Sequence, residues 1–137
     1  MAADFTVHPV GRVASPLRDA ASAPKQGDEG APAAWLIFDS RYAAALADVR
    51  PGAEMLLLTW LDRADRDVRR VRPRDDPARP LTGVFSTRSP DRPNPIGLHR
   101  VTILAVDGLR LRVAALEAFD GTPILDLKPV LDPAADR

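Results

Sequence analysis

The chain has 137 residues, 45% of them apolar, and its 19 Lys and Arg balance 19 Asp and Glu to a formal net charge of zero. That length suits one domain over residues 1–137 with a core of ordinary size, and the balance excludes the global positive field used by non-specific nucleic-acid binders. Cysteine is absent, which removes disulfides, thiolate metal sites and thiol catalysis together, and His8 and His99 in separate strand-like contexts argue against a metal site.

Phe5 to Ala14 reads as a first strand with a bend near Gly11, where Pro9-Val10-Gly11 interrupts it. Residues 15–32 form a long loop punctuated by Pro16, Pro24, Gly27, Gly30 and Pro32. Loops of that length in a small domain are functional or disordered, and Pro24-Lys25-Gln26-Gly27 is the segment to watch. Ala33 to Asp39 is a short apolar strand. Ser40 reads as the N-cap of an alanine-rich helix that Pro51-Gly52 stops. Glu54 to Leu61 is a continuous apolar run, expected as a strand buried on both faces. Residues 63–80 are a charged loop with the composition of a mobile segment; its Arg/Pro-rich part, Arg70 to Pro80, reads as a solvated turn.

Thr82 to Ser86 and Leu98 to Val106 read as strands, so Arg88 to Gly97 is a short connection anchored at both ends. Asp107-Gly108 is a hairpin signal of the type I′ kind, leading into Leu109 to Leu116, where Arg110 and Arg112 alternate with apolar residues and leave one face wet. A second Asp-Gly, Asp120-Gly121, precedes a closing strand over Ile124 to Lys128. One short helix against six or seven strands predicts a mainly β domain, a small closed or nearly closed β-barrel. Trp35 and Trp60, inside apolar runs, read as core; His99 reads as an exposed or half-buried strand residue. No apolar run reaches the length of a membrane span and the amino terminus lacks a basic-then-apolar signal, which predicts a cytoplasmic protein.

The connection itself reads Arg88-Ser89-Pro90-Asp91-Arg92-Pro93-Asn94-Pro95-Ile96-Gly97. Each proline fixes its own φ and pushes its predecessor toward extended geometry, so Ser89, Arg92 and Asn94 are held out of helix. A stiffened loop carrying two guanidiniums, a hydroxyl and an amide suits an anionic, planar ligand, because pre-ordering lowers the entropy lost on binding. The glycines never fall in dinucleotide or Walker spacing, and Ser86, Thr87 and Ser89 have no nearby histidine to serve as base. What remains is Arg88, Arg92, Asn94, Asp120, Thr122, Asp126 and Lys128. These residues bind and orient, as befits an enzyme uniting two substrates, one of them already activated.

The string GVFSTRSPDRPNPIGLHRV, with Asp120-Gly121-Thr122-Pro123-Ile124-Leu125-Asp126-Leu127-Lys128-Pro129, resembles the TsaA-like family of tRNA-methyltransferase O enzymes over Phe5 to Leu131. The resemblance implies transfer of a methyl group from S-adenosylmethionine to N6 of a threonylcarbamoyl-modified adenosine next to a tRNA anticodon. It also implies a small β-barrel and a homodimer with the cofactor near the subunit interface. Carried onto this sequence, the cofactor-binding residues are Arg88, Ser89, Arg92, Asn94, Pro95, Asp126 and Lys128, with Pro24, Lys25 and Gln26 of the long loop. Asp120 is the candidate general base.

Three departures stand out. Lys25 replaces an arginine, exchanging a planar fork for a point charge; His99 stands where a small hydroxyl residue is common; and Glu54-Met55-Leu56 replaces a Ser-His-Leu element. The chain also ends at Arg137, without the additional carboxy-terminal domain of longer members. These leave the acceptor open between modified tRNA and a small molecule or other RNA, with a non-catalytic cofactor- or RNA-binding barrel as a third reading.

Overall fold

The computed structural model describes residues 3–18 and 31–131. Its strands are β1 (Gly11–Ala14), β2 (Ala34–Phe38), β3 (Glu54–Trp60), β4 (Arg70–Val71), β5 (Thr82–Gly83), β6 (Ile96–Asp107), β7 (Arg110–Val113) and β8 (Pro123–Pro129). Six of them close into a barrel in the order β1-β2-β7-β6-β3-β8, every neighbouring pair antiparallel, and β1 seals the ring by pairing with both β2 and β8. The expected mainly β barrel is therefore present.

Period-two alternation fills its interior. Val13, Leu36, Leu57, Ile103, Leu111, Val113, Leu116 and Ile124 are fully buried, each such side chain contributing about 1.5–3 kcal/mol relative to an exposed one. The same alternation corrects the expectation for β3. Met55, Leu57 and Thr59 point inward, while Leu56, Leu58 and Trp60 lie half-buried on the outer wall. Trp35 and Trp60 are likewise outward and half-buried, not core: guanidiniums lie over both rings, Arg110 and Arg112 over Trp35 and Arg66 over Trp60.

Closure demands close approach at Gly11, where a Cβ would sit 2.4 Å from the Ile37 carbonyl oxygen. At the β6–β7 hairpin, Asp107 pairs with Arg110 across a two-residue loop whose first residue, Gly108, has φ +59°. Leu109 has no positive φ, so the pattern is that of a II′ turn, with glycine first, rather than I′.

The helix is a 3₁₀ segment, Ser40–Leu46, kinked at Tyr42. Its cap is Asp39 rather than Ser40: the Asp39 carboxylate accepts the Arg41 amide at 3.0 Å. The strand expected over Thr82 to Ser86 is only β5, followed by a 3₁₀ turn at Val84–Ser86. Within the charged loop, β4 pairs with β5 as a two-stranded ribbon, and Arg72 donates to the Arg79 carbonyl at 2.6 Å across its tip.

Register places the connections. Trp60 lies opposite Ile96, and Arg12 opposite Pro123, so the segments leaving β1 and β3 and those entering β6 and β8 gather at one end. That end carries residues 15–18, 61–67, 84–95 and 114–122; the 3₁₀ helix and the β6–β7 hairpin occupy the other.

Candidate functional site

The proline-rich connection is built around Arg92. Its guanidinium donates to the carbonyls of Val84 (2.8 Å), Thr87 (3.1 Å) and Ser89 (2.8 Å), which folds the chain back on itself and turns Val84–Ser86 away from strand geometry. Ser89 Oγ accepts the Asp91 amide at 3.2 Å, and Pro95 is buried beneath. Arg92 is thus committed to shaping the loop. Arg88 is freer, with a single 3.3 Å bond, to the Leu98 carbonyl, among the described residues.

A turn over residues 61–67 locks this loop to the barrel. Arg66 donates to the Pro93 carbonyl (2.8 Å) and to Asn94 Oδ1 (3.1 Å), Asp91 accepts the Asp65 amide (2.9 Å), and the Leu61 amide meets the Pro95 carbonyl (2.8 Å). Asn94 keeps its Nδ2 donors without a partner among the described residues. Arg66 and Asp65 were not legible as site residues, because their partners lie 26–28 positions away.

The same turn reaches Asp120. Arg63 donates to the Arg18 carbonyl and lies 4.7 Å over the Phe119 ring. Asp120 Oδ1 accepts the Ser15 amide at 3.0 Å, its own amide donates to the Leu17 carbonyl at 2.7 Å, and Oδ2 is 3.9 Å from the Arg18 guanidinium. One carboxylate oxygen is fixed and the other stays weakly engaged.

Asp126 and Lys128 stand apart from the rim. They pair with each other at 2.9 Å on the outer wall of β8. Asp126, Leu58 and Leu98 occupy one register row, so Asp126 lies two strand spacings, about 10 Å, from the strand whose carbonyl Arg88 holds. Between them runs an apolar floor: Ile96 and Leu98, 46% and 44% exposed, beside half-buried Leu56, Leu58 and Trp60. Pro24, Lys25 and Gln26 lie outside the described residues. A cleft of about 480 Å³ between the 3₁₀ helix and β8, lined by Phe38, Tyr42, Leu46 and Met55, touches Asp126 alone among the described candidates.

His99 is buried, not exposed or half-buried. Its Nε2 lies 2.8 Å from Thr59 Oγ1, and its Nδ1 has no hydrogen-bond partner among the described residues, with Glu117 Oε1 at 3.8 Å. Gly97 makes room for the pair, since a Cβ there would fall 2.3 Å from Thr59 Oγ1 and 2.7 Å from His99 Nε2. Of the Ser-His-Leu replacement, Glu54 pairs with Arg100 on the outer wall, at the end of β3 remote from the rim.

The profile of the tRNA-methyltransferase O N-terminal domain matches residues 12–136. The chain belongs to the tRNA-methyltransferase O family. An S-adenosyl-L-methionine-binding protein of Archaeoglobus fulgidus is 41% identical over 120 residues, covering 88% of this chain and 85% of its own. A probable S-adenosyl-L-methionine-binding protein of Methanothermobacter thermautotrophicus is 40% identical, covering 92% and 90%. The crystal structure of TrmO from Pseudomonas aeruginosa superposes with a TM-score of 0.76 at 28% identity over 98% of this chain. The chain spans 58% of that structure and 32% of a longer Archaeoglobus relative.

The donor set suits the molecule those relatives are named for. Arg88 offers a cation for a carboxylate, Ser89 and Asn94 offer donors and acceptors for a base and ribose, and Asp120 offers an anion for a sulfonium centre. No group of three or more His, Cys, Asp or Glu side chains is placed to hold a metal among the described residues, and no described helix is long and apolar enough to cross a membrane.

Proposed function

We propose that this chain binds S-adenosylmethionine beside the proline-rich loop and methylates N6 of the threonylcarbamoyl-modified adenosine next to a tRNA anticodon. The observation that carries the reading is the loop itself: Arg92 spends three bonds on holding it, which leaves Arg88, Ser89 and the Asn94 amide ordered and available. Family membership, and relatives of similar length named for the cofactor, support the same reading.

S-adenosylmethionine supplies a methyl group already activated on sulfonium. The protein's share is positioning, which for a well-oriented pair of reactants is worth several kcal/mol. Arg88 would pair with the carboxylate end, each such charge-assisted bond contributing about 1.5–3 kcal/mol, and Ser89 and Asn94 would hold the nucleoside end. Pro95, buried under the loop, keeps those groups from retreating. Asp120, fixed through Oδ1 by the Ser15 amide, takes the proton released by the attacking nitrogen at Oδ2. The family resemblance adds Pro24, Lys25 and Gln26 to the cofactor-binding set; they lie outside the described residues.

Asp126 and Lys128 enter through a second copy of the chain. Exposed Ile96 and Leu98 on β6 lie beside Leu58 and Trp60 of β3, and a second protomer covering this apolar patch would set the Asp126–Lys128 pair of each subunit against the loop of the other. Isothermal calorimetry with S-adenosylmethionine tests the cofactor half of the proposal: binding to the dimer is expected, and no binding to a folded dimer would overturn it. Transfer of a labelled methyl group to tRNA tests the acceptor half. Label appearing only in a small molecule would move the acceptor away from tRNA.

A further inference from the structure

The opposite wall of the barrel, formed by β1, β2 and β7, has a different character. Arg12, Ile37 and Arg110 form one register row, and Ala14, Trp35 and Arg112 form the next. Trp35 lies at the centre, with the guanidiniums of Arg110 and Arg112 at 4.6 and 5.6 Å from its ring. All three arginines are exposed. Asp107 answers Arg110 at 2.6 Å, whereas Arg12 and Arg112 have no carboxylate partner among the described residues.

Among the described residues, a chain with balanced charge thus carries on one face two arginines, Arg12 and Arg112, without a carboxylate partner. Stacking on an indole holds a guanidinium flat and turns its N–H edge outward, so that two parallel donors are presented to an anion with little freedom left to lose. Beside Arg12 a shallow groove of about 400 Å³ runs over Gly11, Ile37 and Pro123. Its one carboxylate, Asp39, is engaged by Arg41 at 3.6 Å and by the Arg41 amide. The wall leads directly to the rim: Ala14, in the Trp35 row, precedes Ser15, whose amide holds Asp120.

We infer that the β1-β2-β7 wall is a phosphate-binding surface for RNA, with Arg12 and Arg112 on the backbone and Trp35 holding Arg112 ready beside the Asp107-paired Arg110. The inference rests on the proposed reading that tRNA is the acceptor, and gives the face from which it approaches Asp120. Neutralised phosphates make affinity fall with salt, and each arginine that contacts one contributes about one unit to the slope of log affinity against log salt concentration.

The test uses the full chain, bulk tRNA and an anticodon stem-loop transcript, in fluorescence anisotropy across a salt series. Arg12→Gln and Arg112→Gln each raise the dissociation constant roughly threefold to tenfold and lower the slope by about one. The double variant raises the KM for tRNA while its affinity for S-adenosylmethionine and its melting temperature hold, and Arg50→Gln, at a residue that bonds the Ala47 and Val49 carbonyls away from this wall, changes nothing. If the wild type binds and methylates tRNA and the double variant keeps both affinity and slope, the surface is wrong while the methyltransferase reading stands. If the wild type binds no RNA, both fall. Loss of poly-aspartate binding with RNA binding intact assigns the wall to an acidic protein and overturns the inference.

Discussion

In the proposed site, Arg92 serves the loop rather than the ligand. Arg92→Ala strands three carbonyls that now accept from it, so a loss of about 1–3 kcal/mol is expected in urea denaturation, together with loss of calorimetric S-adenosylmethionine binding. Arg92→Lys recovers little of either, because a single ammonium cannot span three acceptors. Asp120→Asn separates shape from chemistry. The amide oxygen can still accept the Ser15 N–H, so the melting temperature holds, while labelled-methyl transfer falls on the order of 10²–10⁴-fold if the carboxylate takes the proton. The polar string was legible as a stiff, anchored connection, from its prolines and its flanks. Which of its arginines reaches outward was not, because that depends on where the Val84, Thr87 and Leu98 carbonyls fall. Nor did anything in the charged segment mark Arg66 as the strut under Asn94.

The elements were legible wherever local chemistry decides. Asp107-Gly108 marked the hairpin, and alternation in Arg110 to Val113 and in Ile124 to Lys128 marked the strands that β7 and β8 became. Apolar runs such as AWLIF and EMLLLTW gave strand, yet not which residues face in. In a closed barrel only every second side chain reaches the interior, and arginines over Trp35 and Trp60 let large rings stay outside. The 3₁₀ geometry of Ser40–Leu46 and the short β5 depend on contacts made elsewhere in the chain, which composition does not reveal. Two glycine substitutions test the strand geometry by chemical denaturation. Gly11→Ala forces a methyl against the Ile37 carbonyl oxygen, backbone that cannot swing away, at a cost of about 1–3 kcal/mol. Gly108→Ala meets no neighbour within 4 Å and suffers only from its φ of +59°, about 1–2 kcal/mol, so Gly108→Asn is the milder change.

At the scale of the whole molecule, the barrel presents two unlike walls. One carries apolar residues between Arg88 and the Asp126–Lys128 pair; the other carries Trp35 among arginines. If two copies share each cofactor site across the first wall, Arg88→Ala and Lys128→Ala are each inactive alone, and mixing them by co-refolding restores part of the methyl transfer. A mixture as inactive as its components would put all the binding groups in one subunit. The most direct measurement is mass spectrometry of nucleosides from tRNA that carries threonylcarbamoyl-adenosine, after incubation with the purified chain and methyl-labelled S-adenosylmethionine. One labelled methyl on that nucleoside, absent with Asp120→Asn, is expected; unlabelled nucleoside from a folded, cofactor-binding dimer would contradict the assignment.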